Sequence, residues 1–349
     1  MPRYDLPLDE RMEKFRNFSK GKVSSLKKGV VEDADDNKEE NCNSSTPSSL
    51  IDFSLYLREP KYTLNDVILP KNTKKQIESV LAEIKHYDLI YNKWGIGEKH
   101  KLDKALSVNF SGPPGTGKTL AAEALAYTLK SKIIVLPYSQ LESKYVGDTP
   151  KNIVSAFTFA AEHKAILFFD EADSFLGKRL ENVTQSTDTA VNLTRSVMIT
   201  QLSNYEGVII FATNLIGNYD PAFLSRIRWK LHFELPDEES RKAIWKIQIP
   251  DKLPLDNDVD FSKLASEFKD ISGRDIKNAV LKGVVSAAKE DKPDSEKKVN
   301  HSHLFEAISD VVESNKSAVQ EQHLKLNPVE GDIRLPQEPN ITEEKDTTN

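Results

Sequence analysis

The chain has 349 residues, a formal net charge of −6, 38% hydrophobic and 29% charged residues, and one cysteine. That length predicts about two domains, with enough apolar content for a globular core and polar segments attached. No apolar run approaches the ~18 residues of a membrane span, and Met1 to Asp5 lack the apolar stretch of a secretory signal. A lone Cys42 excludes an internal disulfide framework and fits a reducing compartment. The acidic balance argues against non-specific nucleic-acid binding.

Residues 1–31 are mildly basic, with Met12, Phe15 and Phe18 spaced for a short amphipathic helix. They read as a loosely ordered arm, with a docking peptide as the alternative. Residues 32–49 are acidic and then polar, a linker that cannot bury enough apolar surface to fold. From Leu50 apolar residues return (Ile51, Phe53, Leu55, Leu57), predicting a short element packed on the domain after it. Residues 72–90 carry a helical pattern through Ile77, Val80, Leu81 and Ile84.

Five strand-sized apolar runs then alternate with helices: 105–110, 132–136, 165–169, 208–212 and 229–233. Near-continuous apolar runs between helices predict a buried, mostly parallel sheet sandwiched by helices. After Leu235-Pro236-Asp237 the strand signal stops, and 238–248, 261–268, 273–289 and 301–312 read as helices, the third capped by Ser272. The predicted organisation is a polar arm and linker over 1–55, an α/β domain over 56–237, a small all-helical domain over 238–312 and a disordered tail over 313–349.

The chemistry sits at strand ends. Gly112-Pro113-Pro114-Gly115-Thr116-Gly117-Lys118-Thr119 follows the first strand and opens a helix, the context that a phosphate-binding P-loop requires. Pro114, Gly115, Thr116, Gly117, Lys118, Thr119 and Leu120 are the expected nucleotide contacts. Backbone N–H groups and the helix N-terminus face the phosphates. Lys118 reaches the β- and γ-phosphates, and the Thr119 hydroxyl ligates Mg²⁺. The third strand ends in Asp170 and Glu171, some 50 residues on. Asp170 is the expected second Mg²⁺ ligand and Glu171 the group that polarises the attacking water; Asp173 has a loop-holding role at most. The fourth strand ends in Asn214, an amide suited to orient that water.

The P-loop, Phe169-Asp170-Glu171-Ala172-Asp173, and Ala212-Thr213-Asn214 followed by Tyr219-Asp220-Pro221-Ala222-Phe223 together resemble the AAA+ ATPases, AAA family proper. The likeness covers about residues 60–312 and looks nearest to the spastin, katanin and related single-ring remodelling group. It implies a P-loop NTPase with a five-stranded α/β subdomain, a helical lid, a homohexameric ring with ATP and Mg²⁺ between subunits, and a protein substrate. It also implies that Arg226 reaches the neighbouring subunit's γ-phosphate. Relatives often carry two arginines in this region; here Ser225 and Trp229 occupy neighbouring places, and Arg228 is the candidate for the second. Lys144, Tyr145 and Val146 resemble the first pore loop, Tyr145 gripping an extended polypeptide. Lys178 and Arg179 stand where relatives have a second pore loop. Gly273 matches the lid glycine that approaches adenine and ribose, whereas Asp66-Val67-Ile68-Leu69 lacks the glycine usual on the other side of the base. No His-Glu-x-x-His occurs, so the metalloprotease members are excluded.

The resulting expectation is an ATP-hydrolysing motor that threads a protein through a ring pore, in the cytoplasm or nucleoplasm, with no membrane span. The alternatives are an AAA+ ATPase serving as a DNA-associated loader or regulator, distinguished by salt-sensitive DNA binding, and a nucleotide-gated scaffold, distinguished by binding without turnover. A P-loop small-molecule kinase fits the lid and Arg226 poorly.

Overall fold

The computed structural model describes residues 51–99, 105–142, 148–173, 186–214 and 219–326. The basic arm, the acidic linker and Cys42 lie outside the described residues, as do Lys144, Tyr145, Val146, Lys178 and Arg179.

Six strands form one sheet in the order β1-β3-β4-β5-β2-β6. They are β1 (Leu57–Arg58), β2 (Leu106–Ser111), β3 (Ile133–Pro137), β4 (Ile166–Asp170), β5 (Val208–Thr213) and β6 (Trp229–His232). β2 to β6 are parallel, as predicted. The sixth strand is β1, a two-residue edge strand antiparallel to β3. It is too short for any alternation to register in sequence.

Side-chain alternation splits the sheet into two apolar faces. One face carries Ile134, Leu136, Leu167, Phe169, Ile209 and Phe211. It is covered by α3 (Asp148–His163) and α4 (Ser186–Asn204), through an aromatic series in which Phe169 stacks on Phe211 at 5.4 Å and Phe211 meets Phe223 edge-on at 5.2 Å. The other face carries Val108, Phe110, Ile133, Phe168, Ile210 and Ala212. α1 (Lys71–Lys85) and α2 (Lys118–Thr128) pack there. α2 buries Ala121, Ala122, Ala124 and Ala126, small side chains that let its backbone lie close to the sheet.

The N-terminal boundary differs from the predicted one. Phe53, in a single 3₁₀ turn at Phe53–Tyr56, is buried in the first core, and Arg58 pairs with buried Glu123 of α2. The α/β unit therefore begins before residue 56. α1 also stops at Lys85 rather than 90. A π-helical turn, Asp88–Lys93, comes next; its wider winding stacks Tyr91 on Tyr87 at 4.5 Å and brings the Tyr91 hydroxyl to Glu83 at 2.6 Å.

Four helices make the second unit: α5 (Glu238–Gln248), α6 (Phe261–Glu267), α7 (Gly273–Ala288) and α8 (His301–Leu326). Their core is Trp245, Leu264, Ile276, Ala279, Leu304 and Ile308. α7 starts on a capping box in which the Ser272 hydroxyl accepts from Asp275 N and the Asp275 carboxylate accepts from Ser272 N. α8 corrects the predicted tail: it runs on to Leu326. Asn315 donates from Nδ2 to Asp275 at 3.0 Å, a tertiary tie that an apolar pattern does not report. Among the described residues no helix is long and apolar enough to cross a membrane.

Candidate active site

β2 delivers the chain to Gly112, whose N–H donates to Thr213 O at 3.2 Å. Gly112 has φ +140° and Gly115 φ +79°. Both lie where L side chains are rare, and both are also crowded. A Cβ on Gly112 would overlap the Phe233 carbonyl oxygen, and one on Gly115 would overlap Ser272 Oγ and stand 2.8 Å from Arg274 Cβ. The turn is tightened by Thr116 Oγ1, which donates to Pro113 O at 2.8 Å. α2 begins at Lys118, so its free N–H groups open onto this turn. Pro114 and Leu120 are exposed on its rim.

Three strand ends converge on the loop. Lys118 is buried and donates from Nζ to Gly112 O at 2.6 Å, Pro113 O at 2.9 Å and Asn214 Oδ1 at 2.8 Å. The end of β5 thus meets the P-loop lysine directly. Thr119 Oγ1 donates to Asp170 Oδ2 at 3.3 Å, bringing the two expected Mg²⁺ ligands together. Their hydroxyl and carboxylate oxygens suit a hard cation that takes one or two protein ligands and fills its shell with phosphate oxygens and water. Glu171 follows β4 with φ +55°, a left-handed conformation uncommon for a non-glycine residue. Its side chain is exposed, and its N–H donates to Asp170 Oδ1 at 3.0 Å. Asp173 accepts from Asn214 N at 3.4 Å, joining the β4 and β5 loops.

Burial lowers the Lys118 pKa to about 8; Asp170 and Asp173 oppose the shift, and Arg274 adds to it. An anion bound at this loop favours the charged lysine. Below pH ~8 Lys118 is already protonated and binding is insensitive to pH. Above it, binding requires proton uptake, and affinity falls toward ~10-fold per pH unit. We predict this profile for ATP without added metal, with proton uptake at pH 8 detected calorimetrically in buffers of different ionisation enthalpy. A flat affinity between pH 7 and 9.5 would contradict it.

The helical unit closes the site from the other side. Arg274 N–H donates to Gly115 O at 3.3 Å, and the Cβ position of Gly273 is 3.3 Å from that same oxygen. Gly273 therefore sits on the phosphate loop. Val67 and Leu69, in the segment lacking the expected glycine, pack over the same turn, each 3.9 Å from the Cβ position of Gly117. Sequence reasoning misses Arg274, a charged residue beside the loop. The available signal is a cation immediately after the lid glycine.

Arg226 and Arg228 lie apart from this cluster, in the segment leading to β6. Arg226 donates from Nε to Ser203 Oγ at 3.1 Å and from Nη1 to Ala222 O at 2.8 Å. Arg228 is ion-paired to Glu83 and lies over the Tyr91 ring, 5.5 Å from its centroid.

The profile of the family described as "ATPase family associated with various cellular activities (AAA)" matches residues 108–235. This segment of the chain is an AAA ATPase domain. The matched span contains the P-loop, Asp170, Glu171, Asn214 and Arg226, and ends before the helical unit. The chain is 33% identical over 212 residues to the 26S proteasome subunit RPT4 of Saccharomyces cerevisiae, covering 59% of this chain and 47% of that protein. It is 33% identical over 207 residues to the 26S proteasome regulatory subunit 6A of Schizosaccharomyces pombe (57% and 46%). It is 32% identical over 229 residues to the 26S proteasome regulatory subunit 8 of Caenorhabditis elegans (64% and 53%). The chain spans about half the length of these relatives. They are proteasome subunits rather than members of the spastin and katanin group that the motifs resemble, so the AAA domain is established at the level of the wider family.

Proposed function

We propose that the protein is an ATP-hydrolysing AAA motor that assembles as a homohexameric ring and remodels or unfolds a protein threaded through the pore. The observation that carries this reading is the junction of Lys118, Asn214, Thr119 and Asp170 at three strand ends. That junction gathers a cation, an amide and a hydroxyl–carboxylate pair at the phosphate loop, which supports the reading. The likeness to spastin- and katanin-type remodellers, and a cytoplasmic or nucleoplasmic setting, belong to this proposal.

In this mechanism the loop N–H groups and Lys118 bind the β- and γ-phosphates of ATP. Thr119 and Asp170 would hold Mg²⁺, which supplies charge neutralisation on the phosphate oxygens when bound. Glu171 takes the proton from the attacking water, and Asn214 orients that water. Arg226 of the neighbouring subunit stabilises charge developing on the transferred phosphoryl group. Gly273 brings the lid backbone to the base and ribose, and Lys144, Tyr145 and Val146 grip the substrate.

Because Arg226 acts in trans, turnover per subunit should rise with protein concentration in parallel with ring formation. The test is ATP turnover across a dilution series, with mass measured in ATP and Mg²⁺. Constant turnover per subunit while the protein remains monomeric would sink the trans role. Tight ATP binding without turnover would favour the scaffold, and salt-sensitive DNA binding the loader.

A further inference from the structure

We propose that Glu83 is a positioning residue for Arg226: with Ser107 and Tyr91 it clamps the Arg226–Trp229 segment so that the Arg226 side chain is set for the neighbouring subunit's nucleotide. The proposal rests on the trans role proposed for Arg226.

The segment is pinned from two directions. On its backbone side, buried Ser107 of β2 donates from Oγ to Arg226 O at 2.6 Å and accepts from Arg228 N at 3.1 Å. One hydroxyl therefore fixes the peptide groups on both sides of Ile227. On its side-chain side, Glu83 of α1 accepts from Arg228 Nη1 and from the Tyr91 hydroxyl through Oε1, at 2.5 and 2.6 Å, and from Trp229 Nε1 through Oε2, at 2.5 Å. The Glu83 side chain is 12% exposed. Removing it would take from Arg228 this buried carboxylate and from the Trp229 indole this acceptor, a larger loss than for a solvated pair. Burial and the hydrogen bond to Glu83 raise the Tyr91 pKa far above its ordinary value, so the phenol remains a donor.

This geometry gives Arg228 and Trp229 partners within their own chain. Arg228, a candidate second finger by sequence, spends its guanidinium on Glu83 and the Tyr91 ring. Trp229 is bound to the same carboxylate. Arg226, half-buried with its guanidinium donating to Ser203 Oγ and Ala222 O, is the cation that the proposed trans role turns to a neighbour, and the clamp determines where its backbone stands. The same β2 that carries Ser107 continues to Gly112, so the clamp references Arg226 to its own subunit's phosphate strand. Misplacing a transition-state cation by about 1 Å costs on the order of 100-fold in rate.

The test uses the full-length chain. Glu83→Ala should lower ATP turnover by roughly 10- to 100-fold with the affinity for a fluorescent ATP analogue unchanged. Glu83→Gln, which keeps one acceptor oxygen but replaces the other with an amide donor, should recover only part of the loss. The deciding measurement is mixing with Lys118→Ala subunits, which cannot use their own site but present an intact Arg226. The mixture should turn over several-fold faster than the mean of its two components, because Glu83→Ala sites then meet a correctly placed arginine. Arg226→Ala mixed in the same way is the control. Wild-type turnover by Glu83→Ala overturns the proposal. So does a loss that mixing does not restore while Arg226→Ala is restored, since the clamp would then serve the fold only. If Arg226→Ala alone matches wild type, the trans reading fails and the clamp has nothing to position. Should Glu83→Ala not fold, Arg228→Gln, which removes the charge from the other side, is judged by the same outcomes.

Discussion

Replacing Arg226 with alanine is expected to lower ATP turnover by about 10³- to 10⁵-fold, the range for an arginine supplied to a transferring phosphoryl group. The affinity of an isolated subunit for ATP should stay within about threefold of wild type, because this interaction is made chiefly in the transition state. Within its own chain the Arg226 guanidinium donates to Ser203 and Ala222 O, not to the phosphate loop. Truncation frees two acceptors at a half-buried surface position, so the stability change should stay within about 1 kcal/mol. The separation of kcat from binding is the diagnostic. A variant that lost both together would indicate a folding defect, and one that lost neither would remove Arg226 from the mechanism.

Glu171→Gln should lower turnover by about 10²- to 10⁴-fold, the range for loss of a general base. It should leave nucleotide binding and ring assembly intact. Glutamine has the same shape and faces the same left-handed backbone at φ +55°, so the backbone strain at this position is unchanged. The Thr119–Asp170 pair and the Lys118–Asn214 bond do not involve this side chain. The expected product is a ring that holds ATP and keeps its protein substrate bound, which would make the variant a means of isolating that substrate. Single-turnover hydrolysis and mass in ATP provide the check. Retention of more than about a tenth of wild-type turnover would end the proposed base role.

The five parallel strands were legible in the sequence because strands buried on both faces need continuous apolar runs, and short runs of that kind between helical patterns rarely serve any other element. The junction of Lys118, Thr119, Asp170 and Asn214 was legible because each residue stands at the end of such a run. Parallel strands that leave in one direction bring their tips together. What lay beyond reach depended on long-range pairing. The two-residue β1 has no pattern of its own. α8 continues past residue 312 through polar turns tied by Asn315 to Asp275. Glu83 gave no signal, since an acidic residue on a helix ordinarily reads as a solvated face. Its bonds to Arg228 and Trp229 join positions about 145 residues apart in the chain. The ion pair of Arg228 with Glu83 lay beyond reach for the same reason: residue type and spacing do not say which partner a guanidinium meets within its own chain.

The seat of α7 on Gly115 has a mechanical meaning. The Arg274 bond to Gly115 O fastens the first turn of a 16-residue helix, itself closed by the Ser272 capping box, to the phosphate loop, leaving the remaining ~19 Å of its length as a lever. A tilt of about 10° at that fulcrum carries the Ala288 end through ~3 Å. That stroke is comparable to the ~3.3 Å advance of one residue along an extended polypeptide. A tilt of α7 at the phosphate loop would therefore reach the far end of the lid as a displacement on the scale of one residue.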